Sequence, residues 1–230
     1  SLTRQPCARY IVYLVYLTSQ QAEKDQRLDT GNIAVIDSGV ANLRSVVNAL
    51  KRLGAAPYIA QTPDDLHAAA KIILPGVGAF AAGMARLREG NFIEPLRNYA
   101  ARGVPILGIC LGMQMLFKHS SEMGNNEGLG LLSGSVVRFP AQGPKVPHIG
   151  WNQLQHEGEA RLLKDVPPDG YAYFVHSYYA QTEAENVLAS TEYGIRFPAV
   201  VGRGNVYGVQ FHPEKSHATG LRILKNFLAL

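Results

Sequence analysis

The residues best placed to do chemistry are a cysteine and a histidine far apart in the chain. Cys110 stands in GICLGMQ, between Gly108 and Gly112, directly after the apolar run VPIL. A strand that runs into Gly-x-Cys-x-Gly and on into a helix has the spacing of a nucleophile elbow. The strand carries the side chain to the carboxyl edge of a sheet, where α/β active sites lie. Glycines on either side let the backbone turn where a Cβ would clash. The helix beyond Cys110 favours a thiolate by its dipole, and its first backbone N–H, that of Leu111, is available to an oxyanion. A thiol nucleophile also needs a base. His212 ends the run VYGVQF and opens HPE, and Pro213 stops the strand there. Glu214, two residues on, points the same way as His212 if the backbone stays extended, and would then fix the ring's tautomer and support the imidazolium. Each motif alone is weak. A free cysteine is commonly a small buried hydrophobe, and His-Pro-Glu commonly makes a surface turn. Both at strand ends in one chain point to acyl transfer by a cysteine.

The elements that must position these groups follow from periodicity. NIAVID is a short apolar run of buried-strand type, and the segment after it repeats Leu43, Val46, Val47, Leu50 and Leu53 at helical spacing, with Gly54 as a stop. PYIA and KIIL are further strands, with a helix expected over TPDDLHAAA between them, capped by Thr62. PGVGAF is a glycine-rich loop. Helices are expected over Ala81 to Glu89 and Ile93 to Arg102. VPILGI is the next strand, and a further helix is expected to start at GMQMLFKHS. The strand–helix rhythm predicts an α/β fold: a doubly wound, mostly parallel sheet with helices on both faces. After about Gly124 strand-like runs dominate (SGSVVRF, AYFVHSYYA, NVLASTEY, FPAVVGR, NVYGVQF) and read as added antiparallel and returning strands, before a final helix at GLRILKNFLAL.

The totals bound the function classes. A chain of 230 residues holds one substantial domain and buries roughly 70–75% of its unfolded surface without a disulfide or metal staple. Two cysteines, Cys7 and Cys110, do not make a secreted disulfide framework, and a reducing, cytoplasmic setting is the default. The formal charge is +4, but Lys and Arg are scattered without a basic run or basic–aromatic interleaving, so no nucleic-acid partner is expected. ARYIVYLVYL, Ala8 to Leu17, is about half the length of a membrane span, so no membrane role is expected. A signal-peptide core is the competing reading, but no small-residue cleavage site follows, and the segment reads as an extra strand or a non-native extension. The expected organisation is an N-terminal extension of unknown role over residues 1–31 and one domain over 32–230. His148, His156 and His176 lack zinc-site spacing, and PGVGAF lacks the lysine and Ser/Thr of a P-loop, so no metal is expected.

The elbow and the His-Pro-Glu together resemble the class I glutamine amidotransferases, a flavodoxin-like α/β family with a Cys-His-Glu triad. The likeness covers about Asn32 to Leu230. PGVGAF, GICLGMQMLF, PHIGWN and YFVHSYY occur together and in this order, and the last two single out the glutaminase subunits of imidazole glycerol phosphate synthase within that family. The resemblance implies hydrolysis of glutamine by Cys110, His212 and Glu214, through a glutamyl thioester and with no cofactor. It implies an oxyanion hole formed by Gly76, Val77 and Leu111. Gly78, Gln114, Glu122, His176, Ser177 and Tyr178 match glutamine-binding positions. By spacing alone, Gln114 would be a helix-surface residue, Glu122 a solvated charge and His176 a core histidine. Asn42, Trp151 and Lys215 match the interface with a (β/α)8 cyclase subunit, the expected heterodimer partner. That subunit receives the ammonia and, in a lyase step of histidine biosynthesis, makes imidazole glycerol phosphate and aminoimidazole carboxamide ribotide. DSGVANL departs from the family's DYGMGNL at Ser38 and Ala41. A class I glutaminase of another pathway and a non-catalytic scaffold subunit are the alternatives.

Overall fold

The computed structural model describes residues 31–37, 39 and 42–230. Cys7, the run from Ala8 to Leu17, Ser38 and Ala41 lie outside the described residues. The described residues open with β1 (Ile33–Ile36), buried at every position, and α1 (Leu43–Arg52), which buries Val46, Ala49 and Leu50 on one face. Asn42 caps α1, its Oδ1 accepting the Ser45 N–H at 3.4 Å. Gly54 turns the chain at a φ of 83° into β2 (Pro57–Ala60). The helix expected next is instead a 3-10 turn over Pro63–Ala68. The Asp65 carboxylate accepts the Gln61 and Thr62 N–H groups at 2.9 and 2.8 Å, which holds the segment in a tight local fold. β3 (Lys71–Gly76), α2 (Phe80–Glu89), α3 (Ile93–Ala101) and β4 (Ile106–Cys110) follow close to the expected bounds.

The helix after Cys110 is shorter than its sequence predicts. α4 covers only Leu111–Met115, and Phe117–Ser120 is a strand, β5. β5 pairs with β6 (Asn126–Glu127) and β7 (Leu132–Arg138), and its ends Phe117 and Ser120 are fully buried. Tertiary pairing overrides the helical pattern there. AYFVHSYYA also divides. Ser177 separates β10 (Tyr171–His176), which forms a two-stranded ribbon with β8 (His148–Gln153), from β11 (Tyr178–Gln181), which joins β7.

The remaining strands are β9 (Gln155–His156), β12 (Val187–Glu192), β13 (Arg196–Arg203) and β14 (Val206–Val209), and α5 (His217–Leu228) closes the chain. Among the described residues the main sheet has eight strands in the order β2-β1-β3-β4-β14-β13-β12-β9. β2 through β14 in that order run parallel, and β13, β12 and β9 are added antiparallel. Alternate residues feed two cores. Ile33, Val35, Leu107 and Ile109 join Val46, Leu50, Ile223 and Phe227 of α1 and α5. Ala34, Ile36, Ile72 and Leu74 join Met84, Leu87 and Leu96 of α2 and α3. The expected doubly wound α/β architecture is what forms. Among the described residues no helix is long and apolar enough to cross a membrane.

Candidate active site

Cys110 ends β4 in the middle of the main sheet, level with Gly76 at the end of β3. Its backbone is at φ 55° and ψ −111°, a conformation L side chains rarely adopt. The positive φ falls on the cysteine itself. The flanking glycines serve a different need, close approach. A Cβ on Gly108 would lie 2.6 Å from the Met113 nitrogen and 2.7 Å from the Gly112 oxygen. One on Gly112 would lie 1.7 Å from the Leu74 oxygen. Glycine at 108 lets α4 fold back over the end of β4, and glycine at 112 lets α4 press against β3.

β14, the next strand of the sheet, delivers the base. Beyond Val209 the chain passes Gln210 and Phe211 to His212, whose N–H donates to the Tyr173 carbonyl at 3.0 Å. Ser216 ties the turn together: its hydroxyl donates to the His212 carbonyl at 2.7 Å and accepts the Tyr173 N–H at 2.9 Å. The His212 Nδ1–H donates to Glu214 Oε1 at 2.9 Å, with the two side chains 6% and 2% exposed. The backbone does not stay extended to achieve this. Pro213–Lys215 forms a 3-10 turn, which curls the carboxylate back under the ring. Glu214 Oε2 is buried with no hydrogen-bond partner among the described residues, so the carboxylate acts through the oxygen that faces His212. Burial alone would lower the His212 pKa. Hydrogen bonds and charge interactions with Cys110 and Glu214 outweigh it and push the ring up to about 9. An imidazolium beside the sulfur is the partner that a thiolate nucleophile needs.

Cys110 and His212 open onto a cavity of about 340 Å³, near the lower end of the roughly 300–1,000 Å³ range of small-ligand sites. Val77, Gly78, Leu111, Gln114 and Glu122 line it. His176, Ser177, Tyr178 and Lys215 complete the set of sequence-predicted residues at its wall. Gly76 lies just behind, with an ideal Cβ there 3.0 Å from that of Leu111. Gln114 is buried, and its Nε2 donates to the Tyr178 carbonyl at 3.0 Å and to Gln210 Oε1 at 3.1 Å. Glu122 Oε2 accepts the Phe80 N–H, at the start of α2, at 2.7 Å. Neither is the surface group that spacing alone would suggest. His176 and His148 are both buried, and burial pushes their rings down to about 3 and about 4.

Three further residues bear on the surface around the cavity. Trp151 is 46% exposed, so it is not a core anchor. It stacks on His217 with ring centres 4.9 Å apart and planes 4° apart. Lys215 and His217 border a second hollow with Ser45, Asn48 and Arg52 of α1, the helix that Asn42 caps. Ile149, Tyr171 and Val175 project from the β8–β10 ribbon beside Trp151, all exposed. Gln210 and Val175 are site residues that sequence reasoning missed. Gln210 is fully buried with Nε2 3.9 Å from Cys110 Sγ, and the Val175 carbonyl also lies 3.9 Å from that sulfur.

A cysteine at a strained elbow, paired with a histidine and a buried glutamate on a doubly wound sheet, defines a hydrolase of the cysteine–histidine–glutamate class. The chain matches the family model for class-I glutamine amidotransferase over residues 34–230. It is 55% identical over 196 residues to the imidazole glycerol phosphate synthase subunit HisH of Desulfitobacterium hafniense, covering 85% of this chain and 92% of that protein. It is 48% identical over 200 residues to the subunit of that name from Methanosarcina mazei, covering 86% and 98%. Among solved structures it aligns with a glutamine amidotransferase at a TM-score of 0.68 and 25% identity, covering 86% of this chain and 98% of that one. PurLQS from Thermotoga maritima aligns at a TM-score of 0.68 and 21% identity, a likeness of fold. The chain belongs to the class I glutamine amidotransferase family, and within it to the HisH subunits of imidazole glycerol phosphate synthase.

Proposed function

We propose that the chain hydrolyses glutamine to glutamate and ammonia and passes the ammonia to a (β/α)8 cyclase subunit, as the glutaminase half of imidazole glycerol phosphate synthase in the cytoplasm. The observation that carries this reading is the meeting of Cys110 with the His212–Glu214 pair at one cavity, in a chain of this family. The Cys110 sulfur attacks the side-chain carbonyl of glutamine. Charge develops on the carbonyl oxygen, and peptide N–H groups of Leu111 and of the Gly76–Gly78 segment stabilise it. Gly78 supports this role: its φ of 95° and the open space around it leave that segment free to turn its peptide toward the oxyanion. His212, charged at neutral pH, gives its proton to the departing ammonia. The ring, now neutral, takes a proton from water as the water attacks the thioester. Glutamate leaves and the imidazolium is restored. Gln114 and Glu122 suit the amino-acid end of glutamine because both line the cavity and are held by fixed hydrogen bonds. Ser177 and Tyr178 add backbone and side-chain groups to the same wall.

The cyclase docks, in this reading, on the surface made by Asn42 and α1, Lys215, Trp151 and the outer face of the ribbon. An exposed tryptophan among exposed Ile149, Tyr171 and Val175, next to the mouth of the cavity, is the composition of an interface centre. The products of the joint reaction are imidazole glycerol phosphate and aminoimidazole carboxamide ribotide. The test is glutamate release by the purified chain, alone and with a cyclase subunit and its ribulose-phosphate-linked aminoimidazole substrate. Slow release alone and fast release in the mixture is the expected result. No release in either would reject the glutaminase, and equal release in both would reject its activation by the partner.

A further inference from the structure

We infer that Gln210 is a further residue of the catalytic centre, holding the Cys110 sulfur with an amide N–H whose direction is dictated by the Tyr178 carbonyl through Gln114. The inference rests on the reading of Cys110 as the nucleophile. Gln210 immediately follows β14, is fully buried, and has its backbone tied to the Ala199 carbonyl at 2.9 Å. The side-chain amide has one end on Gln114 and the other 3.9 Å from Cys110 Sγ.

An amide's oxygen and nitrogen are alike in outline, so its direction must come from its partners. Here it does. The Tyr178 carbonyl can only accept, so the Gln114 atom 3.0 Å from it is the nitrogen. That same nitrogen lies 3.1 Å from Gln210, so the Gln210 atom it meets is the oxygen. The Gln210 atom facing the sulfur is therefore the N–H₂. One carbonyl sets the polarity of two glutamines in series.

That carbonyl is itself pinned. His176 Nδ1–H donates to it at 2.8 Å, and His176 Nε2 accepts from His148 Nδ1–H at 3.2 Å. His148 Nε2 in turn faces Asn152 Nδ2 at 3.4 Å. With both rings neutral every ring nitrogen has a single role, and burial keeps them neutral. PHIGWN and YFVHSYY thus converge on the peptide oxygen that orients Gln114 and Gln210.

Besides His212, the sulfur meets the Val175 carbonyl and the Gln210 amide. The Val175 carbonyl at 3.9 Å suits the thiol, since it can accept S–H. It opposes the thiolate. Gln210 N–H suits the thiolate. Gln210 is a neutral donor, so it favours the thiolate both before attack on the substrate and when the sulfur leaves the thioester.

The test compares the chain with Gln210→Met and Gln210→Glu variants. Alkylation of Cys110 by iodoacetamide is followed on the Cys110 peptide by mass spectrometry, which separates it from Cys7. Loss of a hydrogen bond to a charged group corresponds to about a tenfold slower reaction at pH 7 for the Met variant. Gln210→Glu, which turns a carboxylate oxygen toward the sulfur, is slower still. Both deficits narrow as the pH is raised. In the glutaminase assay with the cyclase partner, kcat falls while KM for glutamine holds. Alkylation equal to the parent in either folded variant overturns the inference. So does a deficit constant with pH, which reports access, or a change confined to KM, which would make Gln210 a spacer for Gln114. Alkylation is read without glutamine, so it judges Gln210 even if the parent chain proves to have no glutaminase activity.

Discussion

The α-carbon of Gly112 packs so close to the carbonyl of Leu74 that a Cβ on it would fall 1.7 Å from that oxygen. This contact seats the first turn of α4 on β3 and sets the bend from which Cys110 projects. Backbone on both sides leaves nothing flexible to yield. Gly112→Ala is expected to cost about 3–5 kcal/mol of folding stability, in the range of strained core substitutions. Gly143→Ala, where the nearest atom is 4.0 Å away, is the control and should change stability by less than about 0.5 kcal/mol. Urea unfolding of the two variants decides it, and equal midpoints would refute the packing argument.

Cys110 itself stores strain, with its φ at 55°. Cys110→Ala keeps a Cβ in that conformation, whereas Cys110→Gly relieves it. Both variants should lose glutamine hydrolysis entirely. The glycine variant should nevertheless be the more stable by about 1 kcal/mol, the strain relieved less the extra freedom of glycine in the unfolded chain. Denaturation of the pair measures the difference. An alanine variant as stable as the glycine variant would mean that the elbow is not strained.

Glu214 meets His212 through one oxygen only, at 2.9 Å, and its other oxygen is buried without a partner among the described residues. Glu214→Gln preserves shape and can still accept the Nδ1–H, but removes the charge that helps keep the ring protonated. Glutaminase kcat in the complex should fall by about 10²–10³-fold, within the range of general acid–base contributions. Steady-state kinetics at saturating glutamine would show it, and an unchanged kcat would remove Glu214 from the triad.

The buried histidines give stability a predictable pH profile. His148 and His176 titrate in the fold near pH 4 and 3, below the ordinary 6.5, because burial disfavours their charged forms. Unfolding therefore takes up protons as the pH falls below about 6.5, and stability declines from there toward pH 4. His212 has the opposite sign. Its raised pKa, about 9, stabilises the fold fully below 6.5 and is lost as the pH climbs toward 9. The two trends place the melting maximum near pH 6.5. His148→Gln should flatten the acid limb and Cys110→Ala the alkaline limb, as followed by thermal melts across pH. A parallel shift of the whole curve in both variants would contradict the assignment.

The elbow, the His-Pro-Glu and the alternating strands and helices were legible because each is local: residue types at short spacing decide them. What escaped was decided across the sheet. Phe117 to Ser120 continues a helical pattern, yet forms β5 because β6 and β7 offer pairing partners. Ser177 looks like the middle of one strand, yet the chain leaves one sheet there and enters another. Gln210 is one polar residue in an apolar run. Its meaning depends on β14 lying beside β4, which puts it level with Cys110. His148 and His176 face each other only through the β8–β10 register. The sequence hinted at a core role for His176, and it is buried, but in a pair that spacing could not reveal.

Trp151 offers a test of the partner surface that leaves the triad untouched. Its ring is 46% exposed and touches the chain mainly through His217 and Tyr173. Removing it should change the stability of the isolated chain by only about 1 kcal/mol, since roughly half of the residue is exposed. In a docked complex the same ring would be enclosed among Ile149, Tyr171 and Val175, where an aromatic anchor is worth about 2 kcal/mol or more. Trp151→Ala is therefore expected to weaken cyclase binding by about 30-fold with its melting temperature nearly unchanged. Titration calorimetry with the cyclase subunit measures the first and a thermal melt the second. Unaltered affinity would move the docking surface away from the ribbon. A large fall in melting temperature would instead return Trp151 to the role of a structural anchor.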